Sequence, residues 1–259
     1  MAKPTVVAFP GTWHPGSCME PFINQLQKLG FSAEAHTLAN FNDASKGLSD
    51  DENRIRSAII QQLDKGKDTI LILHSWAGIP GSAAISGLDK RTRQNAGEIG
   101  GLIGVIYISA YIPKNTESNG GTFKGRMEPW IHVEGDKGLC YAMPEFHRDI
   151  FFNDVDPEVA AAVSKTLSGC SLKAAGEFPS SVGYKEKGFD GRRAYIRLSK
   201  DHALVPDDQV RAISESGVDF LTKILDSSHS PFISMPAELA NMVEDIVNEF
   251  GSFDEIAKP

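Results

Sequence analysis

The sequence predicts an α/β protein in which a mainly parallel sheet is flanked by helices. Short apolar, β-branched segments alternate along the chain with amphipathic helical segments, at the spacing of repeated βαβ units. The run at residues 69–73 is apolar throughout, as a strand buried on both faces of a sheet is, whereas residues 31–38 alternate, as expected of a strand nearer an edge. The chain has 259 residues, of which 41% are hydrophobic and 23% are charged. These values are typical of a globular protein, and we expect one α/β domain with an insertion.

The first half of the chain contains four predicted strands and two long helices. The strands span residues 4–9, 31–38, 69–73 and 102–111, and the helices span residues 19–29 and 50–65. The first helix has one apolar face and ends at Gly30. The second begins with acidic residues and continues as an apolar stripe, which is typical of a helix packed on a sheet. Residues 90–97 are interpreted as a charged surface turn, and Pro113 ends the fourth strand.

The alternation of strands and helices fails between residues 114 and 189. This stretch contains glycine-rich turns and two short helical segments, near residues 144–152 and 157–167. A long insertion rich in Met and aromatic side chains is typical of a cap over a binding site. We therefore predict a core of residues 1–113 and 190–259 with an inserted helical cap at 114–189. The alternative is a satellite subdomain with no role in binding.

The alternation returns after the insertion. The remaining elements are a strand at 194–198, a helix at 206–216, a short strand at 220–225 and a terminal helix at 236–250. The terminal helix has an apolar stripe and begins with proline, which suits the first turn of a helix. These elements continue the same parallel sheet after the insertion.

Composition excludes several classes of function. The net charge of −8 argues against nucleic acid or an anionic membrane surface as a partner. No run of residues approaches the ~20 apolar residues of a membrane span. The three cysteines, Cys18, Cys140 and Cys170, show no metal-ligand spacing, so we interpret them as free thiols of a cytoplasmic protein. We expect a small-molecule substrate and no cofactor or metal. The sequence leaves the oligomeric state open, with a homodimer as the candidate.

The stretch from Asp68 to Ala84, DTILILHSWAGIPGSAA, predicts a strand that turns sharply into a helix. Ser75 stands at the apex, where a hydroxyl is exposed beside the first N–H groups of the helix. The pattern departs from G-x-S-x-G, because Leu73 and Ala77 occupy the two glycine positions. Ser75 is thus a candidate nucleophile, and the alternative is a serine that merely caps a helix.

Polar residues at the ends of two later strands complete this candidate site. Asp201 follows the strand 194–198, and His229 follows the strand 220–225. The carboxyl ends of parallel strands meet at one edge of the sheet, so we expect both to lie near Ser75. A neutral hydroxyl needs an imidazole to take its proton, and the imidazole needs a carboxylate to orient it. Asp226 is the second candidate for the acid, and two further aspartates, Asp207 and Asp208, fall in the next helix.

Four segments carry a resemblance to the α/β-hydrolase superfamily. They are VVAFPGTWHPG with the helix EPFINQLQKLGF, LILHSWAG, LIGVIYISAYIP and SSHSPFISMPAELA. The order of nucleophile, acid and base also matches that superfamily. The chain resembles its small single-domain branch, which includes plant methylesterases, hydroxynitrile lyases and related fungal and bacterial hydrolases. The resemblance covers nearly the whole chain, least clearly the cap, and implies a sheet of about six strands.

The resemblance implies the same three catalytic roles and adds an oxyanion hole. It assigns this hole to the backbone N–H groups of Thr12 and Trp76, although Pro-Gly precedes Thr12 where relatives usually have His-Gly. His74 and His14 are expected to have structural roles, the second by bracing the oxyanion loop. His202 is expected to lie outside the catalytic triad, the name given to Ser75, Asp201 and His229 together.

The leading functional hypothesis is a serine hydrolase that cleaves a carboxylic ester or lactone through an acyl-enzyme. The residues expected to contact a hydrophobic substrate are Trp13, Phe123, Met127, Trp130 and Phe151. A lyase or cyclase with His229 as general base is the second hypothesis, because the fold alone does not determine the chemistry. Relatives with lyase activity often place a lysine over the site, for which Lys124 and Lys137 are available. A non-enzymatic ligand-binding protein is the third hypothesis.

Overall fold

The computed structural model describes residues 3–117 and 128–256 of the chain. Its strands, numbered along the chain, are β1 (Thr5–Phe9), β2 (Ser32–Ala35), β3 (Asp68–His74), β4 (Gly101–Ile108), β5 (Ile131–Glu134), β6 (Leu139–Ala142), β7 (Cys170–Ser171), β8 (Arg193–Leu198) and β9 (Leu221–Leu225). Six of these form a parallel sheet in the order β2-β1-β3-β4-β8-β9. The predicted parallel sheet is therefore confirmed.

The α-helices of the described residues lie between these strands and after them. They are α1 (Glu20–Lys28), α2 (Leu48–Leu63), α3 (Gly78–Ala84), α4 (Lys90–Asn95), α5 (His147–Phe151), α6 (Pro157–Ser164), α7 (Leu172–Gly176), α8 (Pro206–Ser216), α9 (Pro231–Ser234) and α10 (Pro236–Ile256). In the two described stretches, no helix combines the length and apolar character that crossing a bilayer requires.

Two apolar layers cover the two faces of the main sheet, because successive side chains of a strand point to opposite faces. On one face, side chains such as Val7 and Leu71 pack with the apolar stripes of α2 and α3. On the other face, Val6 and Ile70 pack with those of α1 and α10. Both layers consist of fully buried aliphatic and aromatic side chains, which hold the strands rigidly and so position the residues that follow them.

The direction of chain travel reverses at β1. This strand lies between β2 and β3, so the chain first extends the sheet toward one edge and then crosses to the other side. Such a reversal opens a crevice outside the carboxyl ends of β1 and β3, where open parallel sheets bind ligands. The loop after β1 contains Thr12, and Ser75 follows β3 directly. The topology therefore brings these two segments to the same crevice.

The predicted surface turn at residues 90–97 is wrong in part, because residues Lys90–Asn95 form the helix α4. The Asp89 carboxylate caps this helix by accepting a hydrogen bond from the Thr92 N–H at 3.0 Å. Arg93 is buried and donates hydrogen bonds to the carbonyls of Gly100 and Ile99. Composition alone therefore did not show that Asp89 caps a helix and that Arg93 is buried.

The insertion contains a small sheet in addition to the predicted helices. Helices α5 and α6 fall within the two predicted helical segments. Two strands that precede α5, β5 and β6, and one that follows α6, β7, form a three-stranded antiparallel sheet that the sequence analysis did not predict. These strands have at most four residues each, so their alternation is too short to be distinguished from a loop.

The parts of the insertion before α7 and from α7 onward pack against different parts of the protein. Phe151 of α5 lies against the ring of His229, with 5.7 Å between the ring centroids. By contrast, α7 and the buried rings of Tyr184 and Phe189 belong to the apolar layer on the face of the main sheet that contacts α2. The part of the insertion that reaches the sheet edge near Ser75 therefore comes before α7.

Candidate active site

Ser75 stands at a strained turn between β3 and α3. Its φ is 54°, in the left-handed region that residues other than glycine rarely adopt. Residues Ser75–Ala77 form a 3-10 turn that leads directly into α3. The Ser75 carbonyl accepts a hydrogen bond from the Tyr111 N–H at 3.1 Å, which ties the turn to the end of β4. Strain of this kind persists only where surrounding structure holds it, and it is common at functional sites.

Two glycines of α3 provide the close packing around the turn in which the motif glycines are missing. A Cβ on Gly81 would lie 2.3 Å from the Leu73 side chain, so the larger residue is accommodated by a glycine in α3. A Cβ on Gly78 would lie 2.2 Å from the carbonyl oxygen of Tyr111. The close packing of α3 on the sheet therefore depends on Gly78 and Gly81, and the turn forms with Leu73 and Ala77 in place.

The side chains of Ser75, His229 and Asp201 form a continuous hydrogen-bonded chain. The Ser75 Oγ lies 3.1 Å from Nε2 of His229, and Nδ1 of His229 lies 2.6 Å from Oδ2 of Asp201. All three residues are buried. A carboxylate can only accept a hydrogen bond, so Nδ1 of His229 carries the ring proton and donates to Asp201. The unprotonated Nε2 is then able to accept the hydroxyl proton of Ser75. This arrangement can remove the Ser75 proton and stabilise the imidazolium that results.

Three further donors hold the Asp201 carboxylate in place. The Ser109 hydroxyl donates to Oδ2 at 2.6 Å, and the N–H groups of Ala203 and Leu204 donate to Oδ1 at 2.8 and 2.9 Å. These donors stabilise the negative charge of the buried carboxylate. The sequence analysis missed Ser109, which follows β4 and has a φ of 37°. Its position directly after a buried strand was the signal that could have identified it.

The rival acids lie away from His229. Asp226 is exposed and contacts Lys200 at 2.6 Å and the Ser199 hydroxyl at 2.5 Å. Hydrogen bonds from Lys200 and then from Ser199 lower the pKa of this carboxyl. Asp207 and Asp208 lie in the first turn of α8, and His202 contacts the Asp149 carbonyl outside the triad geometry. Among the described residues, Asp201 is thus the carboxylate that contacts His229.

The loop after β1 approaches Ser75 through Gly11. A Cβ on Gly11 would lie 2.9 Å from the Ser75 Oγ and 3.0 Å from the Trp76 backbone nitrogen. Thr12 is the next residue, and its carbonyl contacts Nδ1 of His14 at 2.9 Å. Burial lowers the pKa of His14 to about 3, so the ring is neutral and donates its Nδ1–H to this carbonyl. This contact agrees with the bracing role predicted for His14.

Three of the predicted substrate-contacting residues form one aromatic cluster. The ring of Trp13 lies 5.4 Å from that of Trp130 and 5.9 Å from that of Phe151. The Trp13 indole N–H also donates to the Cys140 carbonyl at 3.1 Å. Because Trp13 and Phe151 are buried, they form part of a wall rather than an open surface. The other two predicted residues, Phe123 and Met127, lie outside the described residues.

A cavity of about 530 Å³ is lined mainly by residues of the insertion, together with Trp13. Its lining includes Trp13, His132, Tyr141, Met143, His147 and Leu167. Trp13 belongs to the loop after β1, where it follows Thr12, and it also lines this cavity. In the described part of the chain, no group of three or more His, Cys, Asp or Glu side chains could hold a metal ion.

Comparison with known proteins shows the family of this chain. A model of the alpha/beta hydrolase family matches residues 6–242. The chain is similar to a probable hydrolase, R7, from Phoma sp. (strain ATCC 20986 / MF5453), with 25% identity over 95% of this chain and 99% of that protein. The resemblance predicted from the sequence is therefore confirmed at the level of the family.

Two solved structures share the fold over almost their full length. A pyrethroid hydrolase from Sphingobium faniae JZ-2 matches with a TM-score of 0.71 and 19% identity, over 95% of this chain and 97% of that one. The methylesterase MES16 from Arabidopsis matches with a TM-score of 0.73 and 19% identity, over 94% and 99%. At this identity the likeness is one of fold.

Proposed function

This chain belongs to the alpha/beta hydrolase family, and we propose that it is a serine hydrolase acting on a small hydrophobic carboxylic ester or lactone. The observation that carries the proposal is the buried chain of hydrogen bonds from Ser75 through His229 to Asp201, with contacts of 3.1 and 2.6 Å. The three residues follow different strands of one sheet, in the order that this family uses.

The proposed reaction has two stages. First, the Ser75 Oγ forms a bond to the carbonyl carbon while its proton moves to Nε2 of His229. The bond to the leaving alcohol then breaks, and His229 returns the proton to that oxygen. Second, His229 takes a proton from water, whose oxygen attacks the acyl carbon. The bond from that carbon to the Ser75 Oγ then breaks, and His229 returns the proton to Oγ as the acid is released. The backbone N–H groups of Thr12 and Trp76 are the proposed donors to the oxyanion.

The proposed substrate class rests on the aromatic wall beside His229. The rings of Trp13, Trp130 and Phe151 favour an apolar acyl or alcohol group over a sugar or a peptide. The names of two structural neighbours, a pyrethroid hydrolase and a methylesterase, support an ester as the bond that is cleaved.

A fluorophosphonate probe with intact-protein and peptide mass spectrometry tests the proposal. We expect the wild-type protein to gain one phosphonyl group on the peptide Asp68–Lys90, and Ser75→Ala to gain none. Ser82→Ala is a matched control, because Ser82 lies in the same peptide but donates to the Gly78 carbonyl within α3. This variant should still be labelled.

Ester turnover by the same variants distinguishes hydrolysis from the rival chemistries. Ser75→Ala should lower turnover by several powers of ten, on the order of 10⁶. Adding His229→Ala should cost little more, since the two residues act as a unit. A lyase would instead lose most activity in His229→Ala and little in Ser75→Ala. Ester turnover that survives in Ser75→Ala at the wild-type rate would refute the serine-hydrolase proposal.

A further inference from the structure

His74 connects the two segments that flank Ser75. It is the last residue of β3 and is completely buried. Its Nδ1 accepts a hydrogen bond from the Gly11 N–H at 3.2 Å, in the loop that leads to Thr12. Its Nε2 lies 2.9 Å from the backbone carbonyl oxygen of His229. One side chain therefore bonds both to the oxyanion loop and to the loop of the catalytic histidine.

The two contacts determine the tautomer of His74. A backbone N–H can only donate, so Nδ1 must be the unprotonated nitrogen of the ring. A carbonyl oxygen can only accept, so Nε2 carries the proton and donates a hydrogen bond to the His229 backbone carbonyl. Burial holds the pKa of His74 well below its usual value, and the nearby imidazoles of His229 and His14 lower it further. The ring is therefore neutral, as both hydrogen bonds require.

The loop of His229 has its other anchor in the insertion. The Ser228 N–H donates to the Asp154 carboxylate at 2.8 Å, and the Ser228 hydroxyl donates to the Phe151 carbonyl at 3.2 Å. The hydrogen bond from His74 holds His229, the residue after Ser228, from the side of the sheet. The backbone of His229 is thus held between the insertion and the end of β3.

We infer that His74 is a positioning residue for the proposed reaction, and the inference rests on the proposed function of the same site. It keeps the imidazole of His229 and the N–H donors of the oxyanion loop at a constant relation to Ser75, because His74 ends β3 and Ser75 is the next residue of the chain. A misplacement of about 1 Å at reacting groups can cost about 10²-fold in rate. His74 itself touches neither the Ser75 hydroxyl nor the substrate carbon in this mechanism.

Two substitutions separate this role from simple packing. His74→Leu removes both hydrogen bonds and keeps an apolar side chain in the core. His74→Asn keeps an amide oxygen near the position of Nδ1, so it can still accept from Gly11 but cannot reach the His229 carbonyl. Tyr184→Phe is the control, because it deletes one buried hydrogen bond, from the Tyr184 hydroxyl to the Pro113 carbonyl at 2.9 Å, outside the site.

Kinetics of ester turnover and of phosphonylation give the first readout. We expect His74→Leu to lower kcat about 100-fold and His74→Asn about tenfold, with KM changed less than about threefold in both. The rate constant for phosphonylation of Ser75 should fall in parallel. Tyr184→Phe should keep kcat within about twofold of wild type, even if its Tm falls as much as that of His74→Asn.

Nitrogen-15 NMR of histidine-labelled protein gives a second readout that needs no turnover. The Nδ1 and Nε2 resonances of His229, assigned by their loss in His229→Ala, report its tautomer and its hydrogen bond to Asp201. We expect both to shift in His74→Leu and to stay unchanged in Tyr184→Phe. If wild type reacts with neither ester nor probe, the proposed function fails, and the NMR comparison alone then decides the positioning role.

A folded His74→Leu protein with kcat within about twofold of wild type and unchanged His229 resonances would overturn the inference. Should His74→Leu fail to fold, His74→Asn decides by the same two readouts. Wild-type resonances and kcat in that variant would show that the bond to the His229 carbonyl has no positioning effect.

Discussion

Gly11 packs against Ser75 so closely that no side chain fits between them. A Cβ built on Gly11 would lie 2.5 Å from the Ser75 Cβ and 2.9 Å from its Oγ. The glycine is required by this approach alone, since its backbone is not in the left-handed region. The loop after β1 can therefore bring its N–H groups to Ser75 only while residue 11 has no side chain.

We expect Gly11→Ala to lower ester turnover at least about 100-fold, because the added methyl group displaces either Ser75 or the oxyanion loop. The free energy of unfolding should fall by about 1–3 kcal/mol, as overpacking of a buried position does. Gly176→Ala is a suitable control, since nothing lies within 4 Å of the Cβ position there. Chromogenic ester kinetics and urea unfolding measure both effects, and a Gly11→Ala enzyme of wild-type activity would contradict the expectation.

Asp201→Asn should leave the protein folded but lower turnover by up to about 10⁴-fold, because asparagine favours the wrong tautomer of His229. Asp226→Asn should have little effect, since that carboxylate is exposed and pairs with Lys200. Steady-state kinetics of the two variants provide the comparison. The reverse order of effects would show that the acid is wrongly assigned.

Ser109→Ala should lower turnover roughly tenfold, since it removes one donor to the carboxylate that orients His229. Ser216→Ala is the matched control, because Ser216 is also a buried serine but donates to the Ile213 carbonyl in α8. We expect the control to keep wild-type kcat. Equal kcat in the two variants would mean that Ser109 has no role in the site.

Asp51 should make the protein less stable as the pH rises from about 4 to about 7. Burial raises its pKa to about 6, although hydrogen bonds from Asn40 and Trp76 partly oppose the shift. A raised carboxyl pKa contributes stability that is complete below the pKa of the unfolded chain and lost as pH rises through the folded value. The difference between the pKa of Asp51 in the folded protein and in the unfolded chain corresponds to roughly 3 kcal/mol of unfolding free energy.

Urea unfolding of wild type and Asp51→Asn across this pH range measures the effect. The unfolding free energy of wild type should fall relative to that of the variant. Asp50→Asn is a control of opposite sign, because the Gly47 N–H lowers the pKa of Asp50, whose contribution is lost as pH falls. Parallel pH profiles for wild type and Asp51→Asn would contradict the prediction.

Cys140 and Cys170 should form a disulfide when the protein is treated with diamide. They are opposite each other in β6 and β7, with 3.3 Å between the sulfur atoms. Opposed residues of antiparallel strands have Cα separations of about 4.5–5.5 Å, within the range that disulfides span. Each thiol loses a hydrogen atom to the azo bond of the reagent.

Alkylation after denaturation reads out this reaction. Diamide should reduce the number of alkylated cysteines by two in wild type and in Cys18→Ser, and by none in Cys140→Ser. Unchanged alkylation of the treated wild type would show that the two buried thiols do not react with each other.

The sequence was sufficient for those features that arise within one segment of the chain. The apolar run at β3 and the small residues of α3 predict the strand, the turn at Ser75 and the helix, because each follows from local packing needs. The positions of Asp201 and His229 directly after strands were also enough to predict that they lie at the same edge, since parallel strands end there.

Only the tertiary structure decided the contacts between distant segments. The bond between His74 and the His229 carbonyl joins residues 155 positions apart, and that between Ser109 and Asp201 joins residues 92 apart. The sequence can place Ser109 and His74 at the ends of buried strands, but a local pattern does not specify which distant group each side chain will face. The antiparallel sheet of the insertion was missed for the same reason, since its short strands are stabilised by their pairing rather than by their own sequence.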